Sequence, residues 1–441
     1  MKKPSDVKNQ QLRKKLFLCL AAFMFAFVCA ELFFRLYYAD FPVGVDANER
    51  CLKETWKRLP SDGENFVNFT RLGYWTDDPV MGITLKPNRT QLDFILEPHG
   101  ALVKKYTGYG EYQHNSKGMH NAEEFTLQKP ANVSVRIALL GDSFTCGAEV
   151  PYFFGMGHLL KEMVPLSEVL NFCVGGRGIE TMYVRYVHEA QLYKPDVVFM
   201  NVFVDDLARP FGCEISIPNL RVMNGKIIVG KRTYESMKDF YETYHPPFVE
   251  SYFLKHLLFV YNNHVQYRKN MKKGLALFEV MIDDLREKMQ EDRTQFFVTL
   301  IQKNNPDKLF QEYYEKLKNV LEKKQIMYFD SATHFETQRE KYKNQSFYYI
   351  GEEKSAGHYG IIGNALHAQG MKQLLQKARL IPPLPDYYFV NFAQSSYLLM
   401  IPKDYLPGRS KQNPLRVVYP YTTSEEPNMH KYTAVMHERN Y

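Results

Sequence analysis

The 441-residue chain has no strong excess of charge of either sign: Lys+Arg 56 stand against Asp+Glu 49, a formal +7. Spread over this length, that argues against a nucleic-acid partner. The densest basic cluster beyond the amino end, Arg268, Lys269, Lys272 and Lys273, reads as the flank of a solvated helix. No Gly-X-Y period is present, which excludes a collagen-like rod, and 45% hydrophobic residues exclude a disordered chain. No internal repeat runs through it. Cysteine is sparse, six in all, with no CxxC or Cys/His spacing that would suggest a metal site, and no motif calls for a cofactor.

Length allows one large domain with extensions or two modest ones. Residues 1–15 carry Lys2, Lys3, Lys8, Arg13, Lys14 and Lys15 against Asp6, and Leu16 to Ala30 then runs without a charge. Glu31 interrupts, apolar residues resume, and Arg35, Tyr37 and Tyr38 follow. A basic flank, an apolar run and an aromatic girdle form the pattern of one membrane span with its amino end inside. We read 1–15 as a cytoplasmic tail and 16–38 as a transmembrane signal anchor; Val28-Cys29-Ala30 leaves open a cleaved signal peptide. Either way, the rest is expected outside the cytoplasm: periplasmic, extracellular or lumenal. Cys19 and Cys29 fall in the span, so Cys51, Cys146, Cys173 and Cys213 allow up to two disulfides in three connectivities. Sequons at Asn68, Asn88, Asn132 and Asn344 are weak evidence for a glycosylating host.

Residues 39–131, rich in Gly, Pro, Asn and aromatics, read as an irregular accessory segment. From 132 to 380 the pattern is regular. Apolar runs at 135–140, 169–174, 196–204, 294–301 and 326–329 predict buried strands. Helical spacing recurs in Phe278, Met281, Leu285 and Met289, in Leu309, Tyr313, Leu317 and Leu321, and across 361–378. Continuous apolar strands alternating with helices predict an α/β fold, a parallel sheet covered on both faces. An insertion at 207–273 should contain a hairpin around Asn224-Gly225. Residues 381–441, Pro- and Tyr-rich without period, read as a C-terminal extension on the surface.

Open parallel sheets place ligands at the carboxyl ends of their strands. The first strand ends in Gly141-Asp142-Ser143, and a helix following it could offer N–H groups to an oxyanion. Ser143 as a plain N-cap is the alternative. The second strand ends in a glycine-rich turn, Gly175-Gly176-Arg177-Gly178, and the third in Asp205-Asp206. Before the last helix stands Gly357-His358-Tyr359-Gly360, with a histidine that could serve as base for Ser143.

Over about residues 75–380 the chain resembles the SGNH (GDSL-type) serine hydrolases, especially membrane-anchored ones with an N-terminal accessory segment. Asn115-Ser116-Lys117-Gly118-Met119 is similar to the family's lead-in, and Asp78-Pro79 through Lys86-Pro87-Asn88 to the segment before it. The resemblance implies a flavodoxin-like three-layer α/β/α sandwich with a five-stranded parallel sheet. It also implies Ser143 as nucleophile, His358 as base, and Ser143, Gly176 and Asp205 at the oxyanion, with Gly363-Asn364 following the histidine as in the family. Two positions depart. Asp205 stands where the family has an asparagine donor, and a carboxylate repels an oxyanion. The aspartate usual two or three residues before the histidine is replaced by Ala356 or Ser355, so the nearest acids are Glu353 and Glu352. The implied activity is hydrolysis of an acyl ester, with O-acetyl groups of a glycan as one substrate class. The alternatives are an O-acyltransferase at the same site and a catalytically degenerate binding or scaffold protein. No protein partner is indicated.

Overall fold

A computed structural model describes residues 4–37, 75–78, 80–92, 95–96, 102–103, 111–148, 150, 152–211, 218–230, 253, 265, 267–343, 346–348, 357–390, 398–402 and 416–418. The chain divides into two units, the first comprising 1–69, 212–215 and 234–270 and the second the remainder.

In the first unit, helix α1 (Pro4–Tyr37) contains a stretch, Lys14–Leu36, long and apolar enough to cross a membrane. Its 23 residues rise about 34 Å, against a hydrocarbon core of about 30 Å. Glu31, the one acid in that stretch, is neutralised one turn on by Arg35, whose Nε lies 2.8 Å from Glu31 Oε1. Glu31 Oε2 also accepts the Phe253 N–H at 3.0 Å, and the Phe253 ring lies against Phe27 and Phe34.

In the second unit, short antiparallel pairs precede the core: β1 (Trp75–Asp78) with β2 (Gly82–Leu85), β3 (Arg89–Leu92) with β6 (Glu111–His114), and β4 (Ile95–Leu96) with β5 (Leu102–Val103). The core follows as β7 (Val135–Leu140), α2 (Met156–Met163), β8 (Ser167–Asn171), α3 (Ile179–His188) and β9 (Val197–Phe203). A hairpin of β10 (Asn219–Met223) and β11 (Lys226–Gly230) comes next, then α4 (Tyr267–Glu291), β12 (Gln295–Ile301), α5 (Lys308–Lys323), β13 (Tyr328–Asp330), α6 (Ser331–Gln338) and α7 (Ile361–Lys377).

Five strands form one parallel sheet in the order β13-β12-β9-β7-β8. Numbered within the core this is 2-1-3-4-5, the flavodoxin-like order, whose switch point lies between β7 and β9. Every residue of β7 and of β9 is buried, which is why these strands read as unbroken apolar runs. On α4, Phe278, Met281, Leu285 and Met289 are all fully buried, as the spacing predicts. The hairpin forms where Asn224-Gly225 places it, with φ of 53° and 75° at the two turn residues.

β8 begins two residues earlier than its apolar run, at half-exposed Ser167 and Glu168. Beside it the chain at 120–121 bonds back: the His120 N–H donates to Asn171 O at 2.8 Å, while the Asn121 side chain donates to Val169 O and accepts from the Asn171 N–H. An asparagine amide thus satisfies backbone groups that a further strand would otherwise pair.

The C-terminal extension is not wholly superficial. Strands β14 (Tyr387–Val390), β15 (Leu398–Pro402) and β16 (Arg416–Val418) form an antiparallel sheet. Tyr387 and Phe389 are buried, their N–H groups donating to Gln369 Oε1 and the Tyr342 hydroxyl.

Candidate active site

The segments singled out in the sequence meet at the carboxyl edge of the sheet, around the switch point. β7 delivers Gly141-Asp142-Ser143, and the Val174 N–H donates to Gly141 O at 2.9 Å, so the turn after β8 runs beside it. Ser143 Oγ lies 2.7 Å from His358 Nε2, across 215 residues of sequence. Both side chains are half-buried.

No helix starts at Ser143. Residues 143–148 form a turn, Cys146 N–H to Asp142 O and Ala148 N–H to Ser143 O, and α2 begins only at Met156. A disulfide, Cys146–Cys173 (Cα–Cα 5.4 Å), fixes this turn. It joins the residue three after Ser143 to the residue three before Gly176. Cys19 and Cys29 are unpaired and exposed on α1; Cys51 and Cys213 lie outside the described residues.

Gly176 takes φ of 73°, a left-handed conformation that costs glycine nothing. A Cβ there would meet nothing within 4 Å, while one on Gly175 would lie 3.7 Å from Ser143 Cβ. The turn therefore faces the serine and opens to solvent above it. Among the described residues, neither the Ser143 nor the Gly176 N–H has a protein acceptor. An oxyanion requires N–H donors that no protein group already occupies.

The histidine is held by an aromatic ring from the Ser143 turn and by the residues that follow it in sequence. Phe144 packs on the His358 ring at 4.8 Å and in turn on Phe203 and Tyr359. The Tyr359 hydroxyl accepts the Gln302 N–H at 3.0 Å and lies 3.0 Å from Ser331 Oγ, tying the loop to the end of β12 and the start of α6. Asn364 accepts the Met156 N–H and donates to Tyr359 O and Gly360 O. Gly363 is required by close approach, since a Cβ there would sit 2.0 Å from Phe347 O. His358 Nδ1 is buried. Glu352 and Glu353 lie outside the described residues.

Asp205 follows β9 in a single 3-10 turn (Val204–Leu207), half-buried. Asp206, fully buried, accepts the Phe203 N–H at 3.0 Å and pairs with Arg209. Arg209 also reaches Asp142 Oδ2 at 2.9 Å and Arg177 O at 2.8 Å. Burial, then the nearby Asp142 carboxylate, pushes Asp206 well above the usual carboxyl range. Burial alone would lower the Arg209 pKa, but Asp206, Asp142 and Asp205 outweigh it and keep the guanidinium charged. Nothing in the sequence pattern singled out Arg209 or Tyr359. The only available signal was proximity, four residues from Asp205 and one from His358.

Glu180, on the first turn of α3, is buried with one oxygen unpartnered among the described residues. Its other oxygen accepts the Gly178 N–H and the Thr181 hydroxyl. Burial raises its pKa from 4.5 to about 7. The unfolded chain therefore ionises Glu180 first, and the stability that its protonated form contributes is present below pH 4.5 and lost as pH rises through 7. Glu180→Gln should match wild type in urea unfolding at pH 4 and exceed it at pH 8 by about 3 kcal/mol, at 1.36 kcal/mol per pH unit. Equal differences at both pH values would show that the carboxyl does not titrate in the fold.

The class of molecule defined by this fold and edge is a flavodoxin-like α/β protein with a Ser–His pair at the carboxyl edge of its sheet. No protein-family model matches the chain, and no curated protein matches it. Among solved structures it is similar to a member of the lipolytic protein G-D-S-L family from Veillonella parvula, at 15% identity over 55% of this chain and 98% of that one, TM-score 0.31. It is also similar to the acetyl xylan esterase AlAXEase (15% identity, 55% and 100% covered, TM-score 0.34). A third is a catalytic mutant of an acetylxylan esterase from Geobacillus stearothermophilus (14% identity, 58% and 100% covered, TM-score 0.33). At these values no residue role passes from them to this chain.

Proposed function

We propose that the chain is a membrane-tethered serine esterase whose catalytic domain lies outside the cytoplasm. The observation that carries this is the 2.7 Å contact between Ser143 Oγ and His358 Nε2 at the sheet's carboxyl edge. With the hydroxyl donating to Nε2, His358 can take the proton as Ser143 Oγ attacks an acyl carbon, then return it to the departing alcohol. The N–H groups of Ser143 and Gly176 receive the oxyanion of the tetrahedral intermediate. Water, activated by the same imidazole, then releases the acid from the acyl-enzyme.

Asp205 stands at the position of the third donor, where its carboxylate, unlike an amide, has no N–H to offer an oxyanion. Glu353 or Glu352 is the acid proposed to orient His358 from the Nδ1 side. Short acyl esters, O-acetyl groups on a glycan among them, are the proposed substrates by resemblance. Lys14–Leu36 supplies the anchor, and the basic residues before it favour a cytoplasmic amino end.

The test is a fluorophosphonate probe on the detergent-solubilised full chain, read by mass spectrometry of the peptide containing Ser143. Labelling at Ser143, absent from Ser143→Ala and quenched by prior heat unfolding, is the expected result. A folded protein whose Ser143 stays unmodified would instead be a silent member of the fold.

A further inference from the structure

We propose that Arg209 is a positioning residue for this esterase site, fastening the three segments that build the oxyanion pocket and offsetting the negative charge that Asp205 brings to it. The inference rests on the serine-esterase reading and adds a role for a side chain outside the family motifs that carried the resemblance.

The geometry is specific. One nitrogen, Arg209 Nη1, lies within hydrogen-bond distance of Asp142 Oδ2, Asp206 Oδ1 and Arg177 O. Each acceptor is the chain neighbour of a site residue: Asp142 precedes Ser143, Arg177 follows Gly176, and Asp206 follows Asp205. The segments that follow three strands, β7, β8 and β9, therefore converge on one guanidinium. The two carboxylates are fully buried, while the Arg209 side chain keeps 26% exposure. Its guanidinium carbon is 6.0 Å from the centre of the Phe203 ring, the same ring that packs on Phe144 beneath His358.

Charge points the same way. Asp142, Asp205 and Asp206 all stand at this edge, and all three act on Arg209. An oxyanion forming at Ser143 adds a further negative charge beside them. Without the Arg209 charge the edge would oppose its own transition state more strongly, and the acceptors would lose the donor that holds their segments in register. A backbone N–H misplaced by a few tenths of an ångström is weakened in the transition state more than in the ground state. The expected loss is therefore in kcat rather than KM.

The experiment uses the solubilised full chain and a chromogenic acetate ester, with rates normalised to the folded fraction from near-UV circular dichroism. Arg209→Met should lower kcat about 100-fold with KM within about twofold, similar to removing one oxyanion donor. Arg209→Lys keeps the charge but loses the planar fork, and should fall about tenfold. Should the methionine variant fail to fold, the lysine variant carries the test. Asp205→Asn added to Arg209→Met should recover about tenfold, several times more than the same change gains in wild type, since the variant lacks the guanidinium on which the Asp205 charge acts. A merely structural arginine would not produce that rescue. Wild-type kcat in a folded Arg209 variant, or an equal Asp205→Asn gain in both backgrounds, would overturn the inference while leaving the esterase reading intact. Absence of hydrolysis and labelling in wild type would instead remove the reading beneath it.

Discussion

Truncating His358 to alanine is expected to lower kcat on an acetate ester by about 10⁴-fold, the upper range for loss of a general base. The reason lies in the 2.7 Å contact to Ser143 Oγ. A serine hydroxyl is a weak nucleophile near neutral pH, and among the described residues His358 is the base within reach of it. Fluorophosphonate labelling of Ser143 should slow in parallel, because the probe needs the same proton removed. His358→Gln would keep much of the packing on Phe144 and should be as inactive as alanine, which separates base chemistry from packing. The measurement is a pre-steady-state acylation rate for each variant. A histidine-free protein that acylates within tenfold of wild type would assign proton removal to another group.

Eliminating the Cys146–Cys173 bridge should cost about 3.5 kcal/mol of stability, because a crosslink spanning 27 residues removes that much loop entropy from the unfolded chain. The double variant Cys146→Ala, Cys173→Ala should show the loss in urea unfolding with no further change on adding a reductant. Wild type should move toward it only slowly in reductant, since both half-cystines are buried. The location makes the bridge more than a staple. It joins the turn after Ser143 to the glycine turn, three residues from Ser143 and three from Gly176, so on the proposed function the double variant should also lose kcat while it remains folded. A variant with unchanged unfolding midpoint would show that the unfolded chain is constrained by other means.

Much of the core was legible in the sequence because doubly covered parallel strands have no polar face to interrupt them. β7 and β9 stand where their apolar runs begin and end, within a residue. Ser143 and His358 were legible as members of an ordered set of motifs, and the fold brings them together. The turn after Ser143 was not foreseen: its conformation is set by a disulfide whose pairing sequence alone left open. β8 differs from its apolar run, 169–174, at both ends: Ser167 and Glu168 are half-exposed and carry no apolar signal, and the buried residues 172–174 continue past the strand into the turn beside β7. The roles of Arg209, Asn121 and Tyr359 were illegible for a common reason. Each acts by one polar group reaching a chain segment far away in sequence, and such contacts leave no period in the residues around them. The strands of the extension carry no clear signal because they are short, three to five residues each, and stand in sequence without a regular apolar period.

The loop carrying His358 is fixed through one phenol, Tyr359, to the tip of β12 and the first residue of α6. Among the described residues, the imidazole thus stands one position from an anchor buried in the core. Warming the protein should not detach the imidazole ahead of the sheet, so catalytic inactivation and global melting become one cooperative event, and a half-life of activity doubles as a reading of how long the whole parallel core survives.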